Sequence, residues 1–337
     1  MSIRSLYEKL LEPSQPLIES IATLEGDIII LGVGGKMGPS LAKLAKRAID
    51  LAGMNKRVIG VARFSEPGLE AELQHHGIIT HQADLLDDQA LQRLPNVPNV
   101  LYLAGTKFGT TGKESFTWAM NSYLPGRVAE KYQKSRIVVF STGNVYPLVS
   151  VQSNGPNESH PTQPVGEYAQ SCLGRERVFQ YFSQKHQTPI LIYRLNYAND
   201  VTYGVLADIA LKVRNQQPID LRMGYVNIIW QQEANEIALR SLHHCSVPAK
   251  ILNVAGPEKL SVRQLAVEFG KVFDLEPVFT NQEQETALLS DASEMRRLFG
   301  EPSVSLQQMI EVIAGWIAEG GKLLNKPTHF QEREGKF

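Results

Sequence analysis

Short apolar runs alternate with longer amphipathic stretches from residue 27 to about residue 195. The first run, Asp27-Ile-Ile-Ile-Leu31, predicts a buried strand. Leu41, Leu44, Ala45, Ala48 and Leu51 then recur at helical spacing over 38–52. Further strands are expected over 58–62, 78–81, 100–104, 137–141 and 190–194, with helices over 67–75, 114–133 and 168–186. A loop rich in Pro, Gly and Ser spans 147–166. Strands rich in Ile, Val and Leu that alternate with helices imply an α/β fold, a parallel sheet covered on both faces. Before this region, residues 1–25 predict a helical extension. Leu6, Leu10 and Leu11 share one face, Leu17, Ile21 and Leu24 another, and Pro13 and Pro16 separate them. After residue 195 the alternation loosens. Helices are expected near 204–215, 232–243, 261–273 and 305–319, with short strands near 226–230 and 250–254. Residues 26–195 thus form one expected domain. Residues 196–337 form mainly a smaller lobe, with some segments returning to the first.

Composition narrows the class. The 337 residues are 43% hydrophobic and 20% charged, with a formal net charge of -1. That balance argues against a broad nucleic-acid or anionic-membrane surface. No apolar run is long enough to span a bilayer, and the N-terminus lacks a signal-peptide pattern. Cys172 and Cys245 are too few for a disulfide framework, so a cytoplasmic protein is expected. The pairs His75-His76 and His243-His244 lack the spacing of a metal site, and no metal is expected.

The segment Gly32-Val-Gly34-Gly35-Lys36-Met37-Gly38 lies between the first strand and the first long helix. Glycines permit a tight turn and close backbone approach to a pyrophosphate. The helix N-terminus adds amide donors and partial positive charge. This placement predicts a nicotinamide dinucleotide site. An NAD site usually ends the second strand with an acid that holds the ribose hydroxyls. Here Val58-Ile-Gly-Val-Ala62 is followed by Arg63, Phe64 and Ser65. Arg63 can pair with a 2′-phosphate and stack on adenine, and Lys36 adds a second charge, which favours NADP over NAD.

Together these segments resemble the extended short-chain dehydrogenases/reductases, the NAD-dependent epimerase/dehydratase family. The spacing of Gly32, Gly35 and Gly38 is similar to that family's GxxGxxG. Ala83-Asp84-Leu85 resembles the segment whose acid caps the adenine, and Leu103-Ala104-Gly105-Thr106-Lys107 the stretch that lines the dinucleotide. The latter, with Glu114-Ser115 after it, is especially similar to that of the UDP-glucose 4-epimerases. Asn121 stands at the family's helix asparagine. Ser141-Thr142-Gly-Asn-Val-Tyr146 resembles the S-[ST]-x-x-V-Y segment, whose second position is the catalytic hydroxyl. Glu158, Pro161 and Pro164 match the approach to the catalytic tyrosine, here Tyr168, and Arg194-Leu-Asn196 resembles the R-x-x-N segment near the nicotinamide with one residue fewer. The resemblance covers residues 27–320. It implies a Rossmann-type doubly wound sheet, a smaller α/β substrate lobe, a sugar-type substrate, and a homodimer paired through helices 114–133 and 168–186.

One departure bears on the chemistry. The family places a lysine four residues after the tyrosine, one helical turn away on the same face. Here Tyr168-Ala-Gln-Ser-Cys172 puts a cysteine there. A neutral thiol carries no positive charge. An unassisted tyrosine has a pKa near about 10, so roughly one in a thousand is phenolate at neutral pH. Three readings stay open. Another cation replaces the lysine, with Lys107 preferred over Arg175. Alternatively Cys172 itself takes part, as thiolate or acid. In the third, the chain binds dinucleotide without turnover, as a sensor or regulatory protein. The leading expectation is an NAD(P)-dependent epimerase, dehydratase or oxidoreductase acting on a sugar, with Thr142 and Tyr168 handling the proton.

Overall fold

Seven parallel strands form the central sheet of the structure, a computed structural model that describes residues 2–107, 112–324, 326 and 328–336. Across the sheet the order is Lys250–Val254, Ile190–Leu195, Arg136–Thr142, Asn99–Tyr102, Ile28–Leu31, Val58–Ala62, Ile79–Gln82. Ile28 pairs in register with Val58 on one side and Asn99 on the other. All four residues of Ile28–Leu31 are fully buried. The reason is that helices cover both faces. On one face, Gln15–Thr23, Gly38–Leu51 and Gln231–Arg240 pack over Ile28, Ile30, Val58 and Leu101. On the other, Leu124–Lys131 and Gly166–His186 supply Leu124, Val128 and Phe179 to a cluster with Ile29, Val100 and Ile137. The chain therefore has the expected Rossmann-type α/β fold. The strand order reverses between Ile28–Leu31 and Asn99–Tyr102, which opens a crevice at the carboxyl ends of those strands.

The N-terminal helices Ile3–Leu10 and Gln15–Thr23 each begin at a serine, Ser2 or Ser14, whose hydroxyl accepts from an amide three residues on. Both lie against the chain's own body. Leu17 and Ile21 are fully buried in the main core, and Lys56 Nζ donates to the carbonyls of Ile21 and Leu24. Tyr7 donates to Asp200 at 2.9 Å and packs on Trp230 and Trp316.

A second buried cluster joins Val205–Arg214, Val262–Phe273 and Leu306–Ala318 around Trp230, Phe269 and Ile313. Not every strand after residue 195 belongs with it. Lys250–Val254 lies beside Ile190–Leu195 as the seventh strand of the main sheet. Two helices lie outside the expected set, Asp88–Arg93 and Ser293–Phe299. The first is short and set by its cap, since Asp87 accepts from the amides of Gln89 and Ala90. The helix expected over 114–133 carries a π turn at Ala119–Tyr123. Among the described residues, no helix is long and apolar enough to cross a membrane, and no cluster of His, Cys, Asp or Glu could hold a metal ion.

Candidate functional site

The glycine turn is dictated by close approach. Gly32 has φ +92°, and a Cβ there would lie 2.7 Å from the Ala104 amide nitrogen. At Gly38 a Cβ would lie 2.2 Å from the Val33 carbonyl oxygen. The helix Gly38–Leu51 starts from Met37 with no side-chain cap, and Pro39 occupies its first turn. Gly34 and Gly35 are exposed at the rim. An uncapped helix N-terminus behind a glycine cradle is suited to a pyrophosphate. The residues present thus fit a dinucleotide.

Two cavities, of about 230 and 380 Å³, meet at Gly35, Leu103 and Gly105. The smaller is lined by Gly32, Gly34, Arg63, Asp84, Leu85 and Ala104. It also takes in Phe64, Ser65 and Met120, which no sequence motif marks as site residues. Arg63 is exposed at its edge, and the strand Val58–Ala62 carries no acid. Asp84 turns its own loop, accepting from the Leu86 amide at 3.0 Å.

The larger cavity is lined by Lys36, Met37, Gly38, Lys107, Ser141, Thr142, Tyr168 and Asn196. Thr142 caps the end of its strand, where Oγ1 accepts from Asn144 N at 3.2 Å and Asn144 Nδ2 at 2.9 Å. The Tyr168 hydroxyl hydrogen-bonds with Thr142 and with the Cys172 sulfur. Lys107 Nζ stands 5.5 Å from the centre of the Tyr168 ring, and Lys36 Nζ 3.6 Å from that of Tyr203. Burial pushes the Lys36 ammonium down to about 7, with repulsion from Lys107 adding to it. Burial likewise brings Lys107 down to about 8, partly opposed by Cys172. Tyr168 is pushed well above its ordinary value by burial, while the charge of Arg175 and the bond to Thr142 pull it back. Burial also pushes the Cys172 thiol up.

The predicted site residues therefore converge, with two exceptions. Asn121 and Cys172 line neither cavity. Asn121 is fully buried behind the site. Its Oδ1 accepts from Thr106 N at 2.9 Å and Arg175 Nη2 at 2.8 Å, and its Nδ2 donates to Thr106 O and Ser171 Oγ. It shapes the loop that carries Lys107. Cys172 is fully buried below Tyr168, against Val145 and Tyr146. A buried, uncharged thiol does not supply the missing charge.

Two groups that the sequence left in the background hold this floor together. Arg175 donates from Nη1 to the Phe140 carbonyl at 2.7 Å and lies under Gly105, where a Cβ would come 2.4 Å from Nη2. Glu176 is fully buried, paired with Arg194 through contacts of 2.9 and 2.6 Å, and accepts from the Ser141 hydroxyl at 2.5 Å. Arg194 in turn donates to the Tyr146 hydroxyl at 2.6 Å, which donates to Asn253 Oδ1 at 2.8 Å. Tyr203, Asn144 and Thr328 also line the larger cavity. Arg175 and Glu176 had a sequence signal, since Cys172, Arg175 and Glu176 recur at helical spacing on the inner face. Thr328 had none.

A search of curated proteins finds no match. Among solved structures, a UDP-glucose 4-epimerase from Thermotoga maritima with UDP-glucose is similar in fold, at TM-score 0.72 and 16% identity, covering 87% of this chain and 99% of that one. An epimerase from Methanothermobacter thermautotrophicus gives TM-score 0.72 at 19% identity, over 91% and 96%. A UDP-glucuronic acid 4-epimerase from Bacillus cereus in complex with NAD gives TM-score 0.70 at 17% identity, over 88% and 100%. The model of the NAD-dependent epimerase/dehydratase family matches residues 28–204, from the first sheet strand through Tyr168 to the far wall of the larger cavity. The chain belongs to that family.

Proposed function

We propose that this chain is an NAD(P)-dependent enzyme acting on a hydroxyl-bearing carbon of a sugar or sugar derivative, as an epimerase, dehydratase or oxidoreductase. The observation that carries this reading is the Tyr168–Thr142 hydroxyl pair beneath Lys107, in a cavity continuous with the glycine turn. Gly32, Gly34, Gly35 and Gly38 with the helix N-terminus would hold the pyrophosphate, and Asp84 and Leu85 would border the adenine. The dinucleotide, when bound, supplies or accepts a hydride. Tyr168 would give or take the proton at the reacting substrate oxygen, and Thr142 would bind the same oxygen. Arg175, whose charge acts on Tyr168, and Lys107, over its ring, would supply the positive field that the family draws from the lysine at position 172. Cys172 is then packing.

Arg63 at the edge of the adenosine cavity, with no acid on the neighbouring strand, supports NADP over NAD as the preferred cofactor. The Bacillus cereus UDP-glucuronic acid 4-epimerase above is in complex with NAD, and a preference for NADP would set this chain apart from it. The helices Leu124–Lys131 and Gly166–His186, with Tyr123 and Tyr181 exposed at 56% and 60%, support a homodimer.

Fluorescence titration with NADPH and NADH, then a turnover screen with sugars, sugar acids and nucleotide sugars, tests the reading. NADPH should bind more tightly, and Arg63→Asp should reverse the order. Tyr168→Phe should lower kcat by about a hundredfold or more while leaving the dinucleotide Kd unchanged. Tight binding with no turnover on any substrate would sink the catalytic reading.

A further inference from the structure

The larger cavity has a wall drawn from the far end of the chain. Thr328 lines it directly, and its amide donates to Asp208 Oδ2 at 3.1 Å, with its hydroxyl on the same oxygen. Phe330 is 3% exposed in the second core, and its carbonyl accepts from the Tyr197 hydroxyl at 3.3 Å. Arg333 donates to the Arg222 carbonyl at 2.9 Å and to the Thr286 carbonyl and hydroxyl at 2.8 and 2.6 Å. Gly335 sits so close to the start of the Tyr168 helix that a Cβ would lie 2.3 Å from the Val165 carbonyl. Residues 328–336 thus cross from the second core to the first turn of that helix.

Under this strap, a separate pocket of about 30 Å³ adjoins the main cavity at Asn144, between Leu148, Leu288 and Arg333. That is room for about one water. The main cavity, about 380 Å³, must take both the nicotinamide end of a dinucleotide and the substrate. Small-molecule pockets run from about 300 to 1,000 Å³, so it stands near the lower limit. A nucleotide-linked sugar brings a base, a ribose and two phosphates beyond the reacting ring.

We infer that residues 328–336 are a specificity wall, and that the substrate is an unlinked monosaccharide or its acid rather than a nucleotide sugar. This rests on the dinucleotide reading above. The test uses the full chain saturated with NADP, with binding confirmed by fluorescence. Galactose, galacturonate, UDP-galactose and UDP are then titrated by calorimetry, and turnover of a wider monosaccharide and sugar-acid panel is followed by nicotinamide absorbance. Unlinked compounds should bind at least about a hundredfold more tightly than UDP-galactose, equivalent to about 2.7 kcal/mol. UDP-galactose binding as tightly, or no unlinked compound binding or reacting, overturns the inference. Arg333→Ala gives a second measurement without removing the strap from its core. It should narrow the affinity gap between the preferred unlinked substrate and UDP-galactose by about tenfold, with kcat and the dinucleotide Kd within about twofold. An unchanged gap overturns the wall. Failure to bind dinucleotide takes down both readings, whereas UDP-galactose binding beside bound dinucleotide removes this one alone.

Discussion

Cys172 and Lys107 influence each other electrostatically, and Lys107 stands over the Tyr168 ring. Lys107→Ala should therefore cut kcat by about tenfold or more, because the field on the phenol weakens. Cys172→Lys alone should not help. It places a second ammonium beside Arg175 and Lys107 in a packed pocket, a change that costs about 1–3 kcal/mol by overpacking before charge is counted. The double variant Lys107→Ala, Cys172→Lys moves the charge to the family's position and should recover much of the lost kcat. A double-mutant cycle in kcat shows this as strong coupling, and additive losses would remove Lys107 from the role. A pH signature follows from the same lysines. Burial holds Lys36 at about 7 and Lys107 at about 8. An anionic dinucleotide favours their charged forms and raises both values. Binding should then take up protons, and affinity should fall as pH rises through 7 to 8. Calorimetry in phosphate and in Tris should give binding enthalpies that differ by the protons taken up times the difference in the buffers' ionisation heats. Equal enthalpies would mean that neither lysine meets the cofactor.

The helix Gly166–His186 carries Tyr168, Cys172, Arg175 and Glu176 on its buried side, and Glu176 joins it to the sheet through Arg194 and Ser141. Glu176→Gln leaves the Arg194 guanidinium buried without its carboxylate. That should cost about 3–5 kcal/mol of stability, read as a lower urea midpoint at unchanged m-value. Glu176→Ala should cost more. A loss below about 1 kcal/mol would mean that water reaches Arg194 and stands in for the carboxylate. At this scale much of the fold was legible. Ile28–Leu31 and Ile137 to Phe140 are unbroken apolar runs because both faces of the sheet are covered, and the glycine turn follows from backbone crowding at Gly32 and Gly38. What stayed hidden is set by long-range contact. Lys250–Val254 is as apolar as a strand of the second lobe would be, and only its pairing with Ile190–Leu195 places it in the main sheet. The helical spacing of Arg175 and Glu176 with Cys172 shows in the sequence, but their partners Asn121 and Arg194 do not. Thr328 is silent in sequence because its role depends on where the chain returns.

At the scale of the whole molecule, the helices that build the site also present exposed apolar side chains. Phe116, Tyr123, Val165 and Tyr181 are all more than two-fifths exposed, on or beside Glu114–Trp118, Leu124–Lys131 and Gly166–His186. Exposed tyrosines on adjoining helices suit a self-complementary interface, where aromatic anchors dominate binding. Pairing two copies there would also clamp the helix that carries Tyr168, with its catalytic side turned away from the partner. Tyr123→Glu with Tyr181→Glu introduces charge at the centre of that face, and neither residue lines either cavity. Sedimentation velocity should show a dimer for the natural chain and a monomer for the double variant. The dinucleotide Kd should hold within about twofold, while kcat should fall as the Tyr168 helix loses its clamp. A variant that remains dimeric would place the interface elsewhere. A monomer with full kcat would show that the sheet and the Glu176–Arg194 pair hold the tyrosine without help from a second copy.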